Sequence, residues 1–385
     1  MDLLKISILT LVFPYPKRGV LPGVETYVES LAVPLKKLGH EVKIITTFWN
    51  GPKKFDNYKG IPIIRILDSK TLLGKLGSIF HLNNITFGLN LLLKKNFKLY
   101  KDSDVLIVPS ALGFSGLMKL RRIPIISCFL HYDQILSLID QFNLPFYHYL
   151  ENRQFKKHKK IITISKASKN DIIKYYGIPA KFIKIFPIGV DMKRFNPSIA
   201  LKEIREKYGN TILLYSGPMI PRKRVPILLL AMKKVIKSFP EVKLIMLGDG
   251  LFLKNYQKLA KKLKIEKNIV WMGFVYNPEV YYASSDLFVF PSELEGFGQV
   301  ITESMACGTP VICANKPPMS EIIGNGGLTF KLNDSNDLAE KIIVLLRDRA
   351  KLKNLSDNAL IRVRKYEWVK IIKDFINYAK NMRCV

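Results

Sequence analysis

The sequence contains little cysteine or histidine and lacks any long apolar run. Its 385 residues include four Cys and five His, and neither type forms a closely spaced group. We therefore expect neither a disulfide framework nor a metal site, and the cysteines are predicted to be packing residues of a reduced, cytoplasmic protein. The cysteines are Cys128, Cys307, Cys313 and Cys384.

Membrane-spanning and secretory segments are not expected either. No run of about 18 apolar residues occurs, so the sequence predicts no spanning helix. The first apolar run is ended by Pro14 and Pro16, which favours a buried strand over a signal peptide.

Acidic residues are also scarce. The chain has 31 Asp and Glu against 61 Lys and Arg, a formal net charge of +30, and more than half of this excess lies in residues 1–190. An anionic substrate, partner or surface is one interpretation, and a solvated Lys-rich surface is the other. The aromatic residues fall in apolar periodic stretches rather than among the basic clusters, which disfavours a nucleic-acid-binding protein.

The length and the pattern of the chain predict two α/β domains. A chain of 385 residues exceeds the usual size of one hydrophobic core. Short apolar runs alternate with helical patterns in both halves, which is typical of parallel strands joined by crossover helices in Rossmann-like domains. We predict domains at 1–190 and 200–365, joined near 187–200, with a C-terminal helix at 366–385 returning to the first domain.

Residues 69–100 combine long apolar side chains with lysines and few acids. A helix packed within the first domain is one interpretation of this composition. A basic amphipathic element at a membrane surface is the other.

The strongest site motif is FPSELEGFGQVITESMACGTPVICAN. Its small residues follow a predicted strand and precede a predicted helix, so the helix N-terminus is available to bind phosphate. Glu295 and Glu303 stand eight positions apart, too far for a shared-proton pair, and we expect them to contact different parts of one long ligand. The candidate residues here are Glu295, Gly296, Phe297, Gly298 and Glu303.

A second motif, SGPMIPRKR, contains Gly217, Arg222 and Lys223 between a predicted strand and a predicted helix. Cations at this position suit a leaving diphosphate, on which negative charge grows in the transition state. Gly248 belongs to the nearby sequence LGDG, for which a tight turn and a donor contact are both open.

The first half of the chain supplies two candidates. Gly23, like Gly19, lies in a loop before a predicted helix, where glycine suits either a turn or a close approach to a ligand. His131 ends the predicted strand IPIISCFLHYD, and the carboxyl ends of strands are where open α/β sheets bind ligands.

Together with PGVETYVESLAVPLKKLGHEV and IGVDMKRF, these motifs resemble the retaining GT-B glycosyltransferases of family 4, the glycosyl transferases group 1. The resemblance covers nearly the whole chain. It implies an α/β fold of GT-B architecture, with two Rossmann-like domains facing each other across a cleft and a C-terminal helix crossing back to the first domain.

The resemblance also implies roles for the candidate residues. Glu303 would hold the ribose hydroxyls, and Glu295 with the backbone of Phe297 and Gly298 would lie against the donor sugar and its phosphates. Lys223 would bind the diphosphate, Gly23 would lie close to the donor phosphates, and His131 would face the donor sugar near the reacting carbon.

Three positions depart from the pattern of similar enzymes. Pro22 replaces the first glycine of a Gly-Gly pair, Pro218 stands where an arginine is expected, and Arg224 replaces a glycine. The sequence therefore predicts either weaker diphosphate binding or a diphosphate contact from Arg222 in place of the expected arginine. A catalytically inactive scaffold is the alternative function.

The activity implied by the resemblance is transfer of a hexosyl unit from UDP- or GDP-hexose to a glycan or lipid-linked hydroxyl, in envelope polysaccharide or glycolipid synthesis. The leaving phosphate would help to deprotonate the acceptor, so no enzyme nucleophile, cofactor or metal is expected. The sequence Asp102-Ser103-Asp104 could serve a metal-dependent transferase, but it precedes a predicted strand and so belongs at the end away from ligands. The charge excess favours a peripheral position on the inner membrane face.

Overall fold

The chain forms two β-sheets, in which all strand pairs but one are parallel over the described residues. The computed structural model describes residues 3–10, 13, 23–47, 54–67, 83–109, 123–129 and 160–381. The contacts divide the chain into a first unit, Met1–Ile188 with Trp368–Val385, and a second unit, Gly189–Glu367. Gly19, Pro22, His131 and Cys384 lie outside the described residues.

The first unit contains an eight-stranded sheet in the order β3-β4-β2-β1-β5-β6-β7-β8. All neighbouring pairs are parallel except the hairpin β3–β4. Buried parallel strands need apolar side chains on both faces, as the continuous apolar runs predict. The strands are β1 Lys5–Leu9, β2 Glu41–Thr47, β3 Phe55–Tyr58, β4 Ile61–Leu67, β5 Val105–Pro109, β6 Ile125–Phe129, β7 Ile161–Thr163 and β8 Ile183–Ile185.

Helices α1 Gly23–Lys37, α2 Asn83–Leu92, α3 Lys94–Phe97 and α4 Lys166–Tyr176 belong to the first unit. Phe87, Leu91 and Tyr100 are buried in one core cluster with side chains of the sheet. Residues 83–100 therefore pack within the unit, and 68–82 lie outside the described residues. Over the described chain, no helix has both the length and the apolar character needed to cross a membrane.

The second unit contains a six-stranded, fully parallel sheet in the order β11-β10-β9-β12-β13-β14. The strand order reverses between β9 and β12, and ligands of such sheets bind beyond the carboxyl ends at the point of reversal. The strands are β9 Ile212–Ser216, β10 Lys243–Leu247, β11 Ile269–Gly273, β12 Leu287–Phe290, β13 Val311–Ala314 and β14 Gly327–Phe330. The helices are α5 Lys202–Tyr208, α6 Val225–Ser238, α7 Leu253–Lys262, α8 Glu279–Ser284, α9 Gln299–Ala306, α10 Met319–Ile323, α11 Ser335–Arg347 and α12 Arg349–Val363.

Helix α13, Trp368–Lys380, follows the second unit in sequence but belongs to the first. The Phe375 ring contacts Phe186 edge to face at a centroid distance of 5.5 Å. The Nζ of Lys37, the last residue of α1, lies 5.8 Å from the Trp368 ring centroid. The helical stripe at the end of the chain thus covers an apolar surface of the first unit, as the fold-class prediction requires.

The three described cysteines, Cys128, Cys307 and Cys313, are buried free thiols. Burial raises the pKa of Cys128 to about 12, so its thiol stays protonated at neutral pH. Such thiols act as packing residues.

Candidate functional site

Three loops leave the carboxyl ends of neighbouring strands in the second sheet. Gly217 follows β9, Gly248 follows β10, and residues 291–298 connect β12 to α9. Because the strands are parallel, these loops meet at one edge of the sheet, at the reversal of strand order. This edge holds all the candidate residues of the second unit except Glu303, which lies within α9.

Lys223 ends a 3-10 turn, Pro221–Lys223, that precedes α6. Its side chain is only 7% exposed, and its ammonium forms an ion pair with the Glu295 carboxylate. The ammonium also lies 4.8 Å from the centroid of the Phe290 ring. Burial lowers the pKa of Lys223, and the Glu295 carboxylate opposes this shift.

Glu295 is the acceptor at the centre of this cluster. Its Oε1 accepts a 2.6 Å hydrogen bond from the Ser292 hydroxyl and lies 3.6 Å from Arg222 Nη1. Burial acts to raise the pKa of Glu295, but the nearby Lys223 and Arg222 charges hold it below the usual value. The group is therefore a carboxylate between two cations, which leaves a local excess of one positive charge.

Arg222 joins the 3-10 turn to the loop after β12. Its Nη1 donates a 2.8 Å hydrogen bond to the Leu294 carbonyl, and its own carbonyl accepts one of 3.0 Å from the Glu293 amide. The Arg222 side chain is 35% exposed. Of the two cations beside Glu295, Arg222 is thus the more accessible to a ligand.

The glycines of the first two loops permit a close backbone approach. A Cβ on Gly248 would lie 2.1 Å from the Gly217 carbonyl oxygen, and both residues have positive φ. The amide of Gly217 donates to the Leu247 carbonyl at 3.0 Å. Packing between the loops explains Gly248 without a ligand, and its contact with a donor stays a prediction.

Helix α9 begins after Gly298, whose φ is 94°. Within the described part of the chain, no side chain caps this end, so the first amides of the helix have no side-chain acceptor. The side chain of Phe297 is a core residue that packs edge to face on Tyr366 at 5.6 Å. Only its backbone is then available for the predicted role toward the donor.

Glu303 lies in α9 in a different environment from Glu295. It accepts a 3.1 Å hydrogen bond from Gln299 Nε2. Burial raises the pKa of Glu303 to about 7, while Arg194, Tyr282 and Gln299 favour its charged form. The two glutamates have separate sets of neighbours, and their contacts with different parts of one ligand stay a prediction.

In the first unit the structure describes fewer of the predicted residues. Gly23 is the first residue of α1, while His131 lies outside the described residues. Glu25, in the first turn of α1, is buried, and burial raises its pKa to about 7. Asp104 lies before β5, at the amino end of the sheet, and accepts a 2.7 Å hydrogen bond from the Lys5 amide.

The sequence did not single out several side chains that build this site. Ser292 is fully buried against Glu295, and Arg194 donates to Glu279 at 2.9 Å. Ser292 stands three residues before Glu295 in the motif quoted above, and Arg194 stands in IGVDMKRF, so the motifs were the available signal. Glu293 stands in the same motif as Ser292, but its partner Arg224 comes from another loop, and Tyr282 stands in no quoted motif.

Two family models match the chain. Glycosyltransferase Family 4 matches residues 22–194, and Glycosyl transferases group 1 matches residues 199–362. Together they extend over both units described above.

Individual proteins and structures agree with these matches. A relative from Campylobacter jejuni subsp. jejuni serotype O:2, N-acetylgalactosamine-N,N'-diacetylbacillosaminyl-diphospho-undecaprenol 4-alpha-N-acetylgalactosaminyltransferase, is 27% identical over 247 residues, 63% of this chain and 66% of that protein. An uncharacterized glycosyltransferase of Methanocaldococcus jannaschii is 24% identical over 391 residues, 98% of each chain. Anabaena HepE, in its complex with UDP and glucose, has a TM-score of 0.78 at 22% identity, covering 98% of this chain and 99% of HepE.

The family matches, the parallel sheets and the structural likeness confirm the predicted family and the fold class. In the second sheet the quoted motifs lie at the carboxyl edge beside the reversal of strand order, where open α/β sheets bind ligands. The chain belongs to the glycosyl transferases group 1 and is a glycosyltransferase of GT-B fold.

Proposed function

We propose that the protein transfers a hexosyl unit from UDP- or GDP-hexose to a hydroxyl group, and that the carboxyl edge of the second sheet binds this donor. The observation that carries the proposal is the cluster of Lys223, Arg222 and Glu295 at the reversal of strand order. Its excess positive charge suits a diphosphate.

A leaving diphosphate gains negative charge as the bond to the sugar breaks. Cations already fixed in position stabilise that charge without reorganisation. The uncapped N-terminus of α9 adds backbone amides and the positive end of the helix dipole. Arg222 supplies the second cation in this proposal, since Pro218 stands where similar enzymes have an arginine.

Glu303 suits the ribose of the nucleotide. A carboxylate accepts hydrogen bonds from vicinal hydroxyls and repels phosphate, so it belongs at the sugar rather than at the diphosphate. Glu303 is hydrogen-bonded by Gln299, whereas Lys223 pairs with Glu295, and these separate partners support this division. The complex of Anabaena HepE with UDP and glucose supports a uridine donor.

We propose a retaining transfer in which the leaving phosphate oxygen accepts the proton of the acceptor hydroxyl. The new glycosidic bond then forms on the face from which the phosphate departs, and no covalent enzyme intermediate is needed. The two cations would balance the diphosphate charge that a metal balances in other transferases, so we propose that the reaction needs neither a metal nor a cofactor.

The acceptor proposed here is a lipid-linked or envelope glycan at the inner membrane face. The Campylobacter relative, by its name, acts on a sugar carried by diphospho-undecaprenol. The net charge of +30 would attract the chain to anionic lipid, which supports a peripheral position. Sedimentation with anionic liposomes at low salt tests this part, and a protein that stays in the supernatant would contradict it.

The donor proposal is tested by thermal stabilisation with UDP, GDP, ADP and their hexose conjugates. A ligand that binds the folded state raises the melting temperature. We expect a shift that is selective for one base, is lost in Glu303→Gln and persists in the exposed control Glu340→Gln. No shift with any nucleotide would contradict the proposal and favour a site that has lost its donor.

A further inference from the structure

Each side chain of residues 222–224 forms a hydrogen bond or an ion pair with a different residue of 293–295. The Arg222 guanidinium donates to the Leu294 carbonyl at 2.8 Å, and Lys223 pairs with Glu295. Arg224 Nε donates to Glu293 Oε2 at 2.7 Å. Only the first two of these side chains meet at the proposed diphosphate site, so the third connection needs a separate explanation.

Arg224 adopts a backbone conformation that disfavours its side chain. Its φ of 50° and ψ of 33° lie in the left-handed region, where a Cβ is unfavourable and glycine is the usual residue. The family pattern has glycine at this position. A residue kept in such a conformation beside a functional site indicates that its side chain has a role there.

A contribution to global stability is the simpler explanation, but the exposure of the pair argues against it. The Arg224 and Glu293 side chains are 40% and 31% exposed. Ion pairs this exposed stabilise the folded state little, because water screens them and two long side chains must be ordered. The effect of the pair is therefore local.

The pair acts on the two segments that carry the site. Arg224 directly follows Lys223, and its amide closes the 3-10 turn by donating to the Pro221 carbonyl at 3.0 Å. On the other segment, the Glu293 amide donates to the Arg222 carbonyl at 3.0 Å. The ion pair thus adds a side-chain connection to a backbone connection between the turn and the loop after β12.

We infer that the Arg224–Glu293 ion pair is a positioning element, which holds the turn bearing Lys223 against the loop bearing Glu295. This inference rests on the proposed function of these two residues at the diphosphate. The pair touches neither the ligand nor the reacting atoms, and it acts by fixing the separation of the groups that do. Errors of about 1 Å in such positions lower rates by up to about 100-fold.

The test compares Arg224→Gly, Arg224→Lys and Glu293→Gln in the full chain. We expect Arg224→Gly to bind UDP or GDP about tenfold more weakly, with an unchanged or higher free energy of unfolding, because glycine suits the backbone. Arg224→Lys should restore most of the affinity. The double variant Arg224→Gly/Glu293→Gln should be no weaker than either single variant, since both remove one interaction.

Hydrogen exchange of the Glu293 amide supplies a readout that does not depend on ligand. We expect exchange to be about tenfold faster in Arg224→Gly and unchanged in Lys202→Met, which breaks an exposed pair with Glu206. Wild-type affinity in Arg224→Gly would overturn the inference, and so would weaker binding with unchanged exchange, because Arg224 would then contact the ligand directly. If the wild-type protein binds no nucleoside diphosphate, the proposed function fails, while faster exchange would still uphold the positioning of the loop.

Discussion

Lys223 and Glu295 form a nearly buried ion pair, and each member favours the charged form of the other. Removing Lys223 leaves the Glu295 carboxylate with only the more distant Arg222, and breaking a buried ion pair in this way destabilises proteins by several kcal/mol. At this site the same change also removes a cation proposed to stabilise the leaving diphosphate. The effects on stability and on activity can therefore be separated by comparing a variant that lacks the Lys223 charge with one that lacks the charges of both Lys223 and Glu295.

We expect Lys223→Met to lower kcat/KM by about 100-fold or more and to lower the free energy of unfolding by about 3 kcal/mol. The double variant Lys223→Met/Glu295→Gln should regain most of the stability and none of the activity. Urea unfolding and steady-state kinetics measure the two effects. Recovery of activity in the double variant would contradict the role of Lys223 at the diphosphate.

The raised pKa of Glu303 gives a prediction about pH. A carboxyl whose pKa is higher in the folded state favours folding in its protonated form, so this contribution is complete below about pH 4.5 and is lost as the pH rises through about 7. Glu303→Gln should therefore match the wild type below about pH 4.5 and be more stable at pH 8, by about 1–3 kcal/mol. Its affinity for nucleotide should nevertheless fall.

Melting temperatures across pH 4–8 measure this difference. Some pH dependence should persist in Glu303→Gln, because burial also raises the pKa of Glu25 to about 7. Parallel curves for the wild type and the variant would show that Glu303 has an ordinary pKa.

The sequence motifs predicted the residues of this site but not the contacts between them. Glu295, Lys223 and Arg222 were predicted from a strand, turn and helix pattern, and the structure brings all three together. Glu293 stands in the same motif, but its pairing with Arg224 depends on which loops the sheet makes neighbours. The roles of all these residues toward a donor stay predictions.

The loops after β9 and β10 lie so close together that one loop restricts which residue the other can carry. A Cβ on Gly248 would lie 2.1 Å from the Gly217 carbonyl oxygen, whereas a Cβ on Gly177 would meet no atom within 4 Å. Both glycines have positive φ, 63° at Gly177 and 125° at Gly248, but a side chain at Gly248 would in addition collide with the neighbouring loop.

We expect Gly177→Ala to cost about 1 kcal/mol of stability from strain alone. Gly248→Ala should cost roughly 2 kcal/mol more and should also abolish nucleotide binding, because the two loops must separate. Denaturant unfolding and calorimetric titration with UDP and GDP measure these effects. Equal losses in the two variants would mean that the close approach has no consequence.

Regular alternation made most elements predictable, and the exceptions have a local cause. The runs that became β9, β10 and β12 are continuous and apolar, as buried parallel strands require. The strands that were not predicted include β14, where a glycine and two half-buried residues weaken the pattern, and β3, which is short and largely polar. Such segments form strands because of their neighbours rather than their own composition.

At the scale of the molecule, α13 ties the end of the described chain to the first unit. Phe375 is 1% exposed and contacts Phe186. We expect Phe375→Ala to destabilise the first unit by about 3–4 kcal/mol, with faster hydrogen exchange in 160–188 and no change in 189–367. The exposed residue Lys373 provides a control, Lys373→Ala, and faster exchange throughout the chain would contradict this assignment.

The position of α13 also has a consequence for how the protein is made. A ribosome releases the chain in order, so the segment that covers Phe186 emerges only after all of Gly189–Glu367 has been synthesised. The second unit is contiguous and can fold while translation continues. The first unit, although begun earlier, keeps the apolar surface that α13 covers open to water throughout that interval, so we expect the nascent polypeptide to bind chaperones until α13 is synthesised.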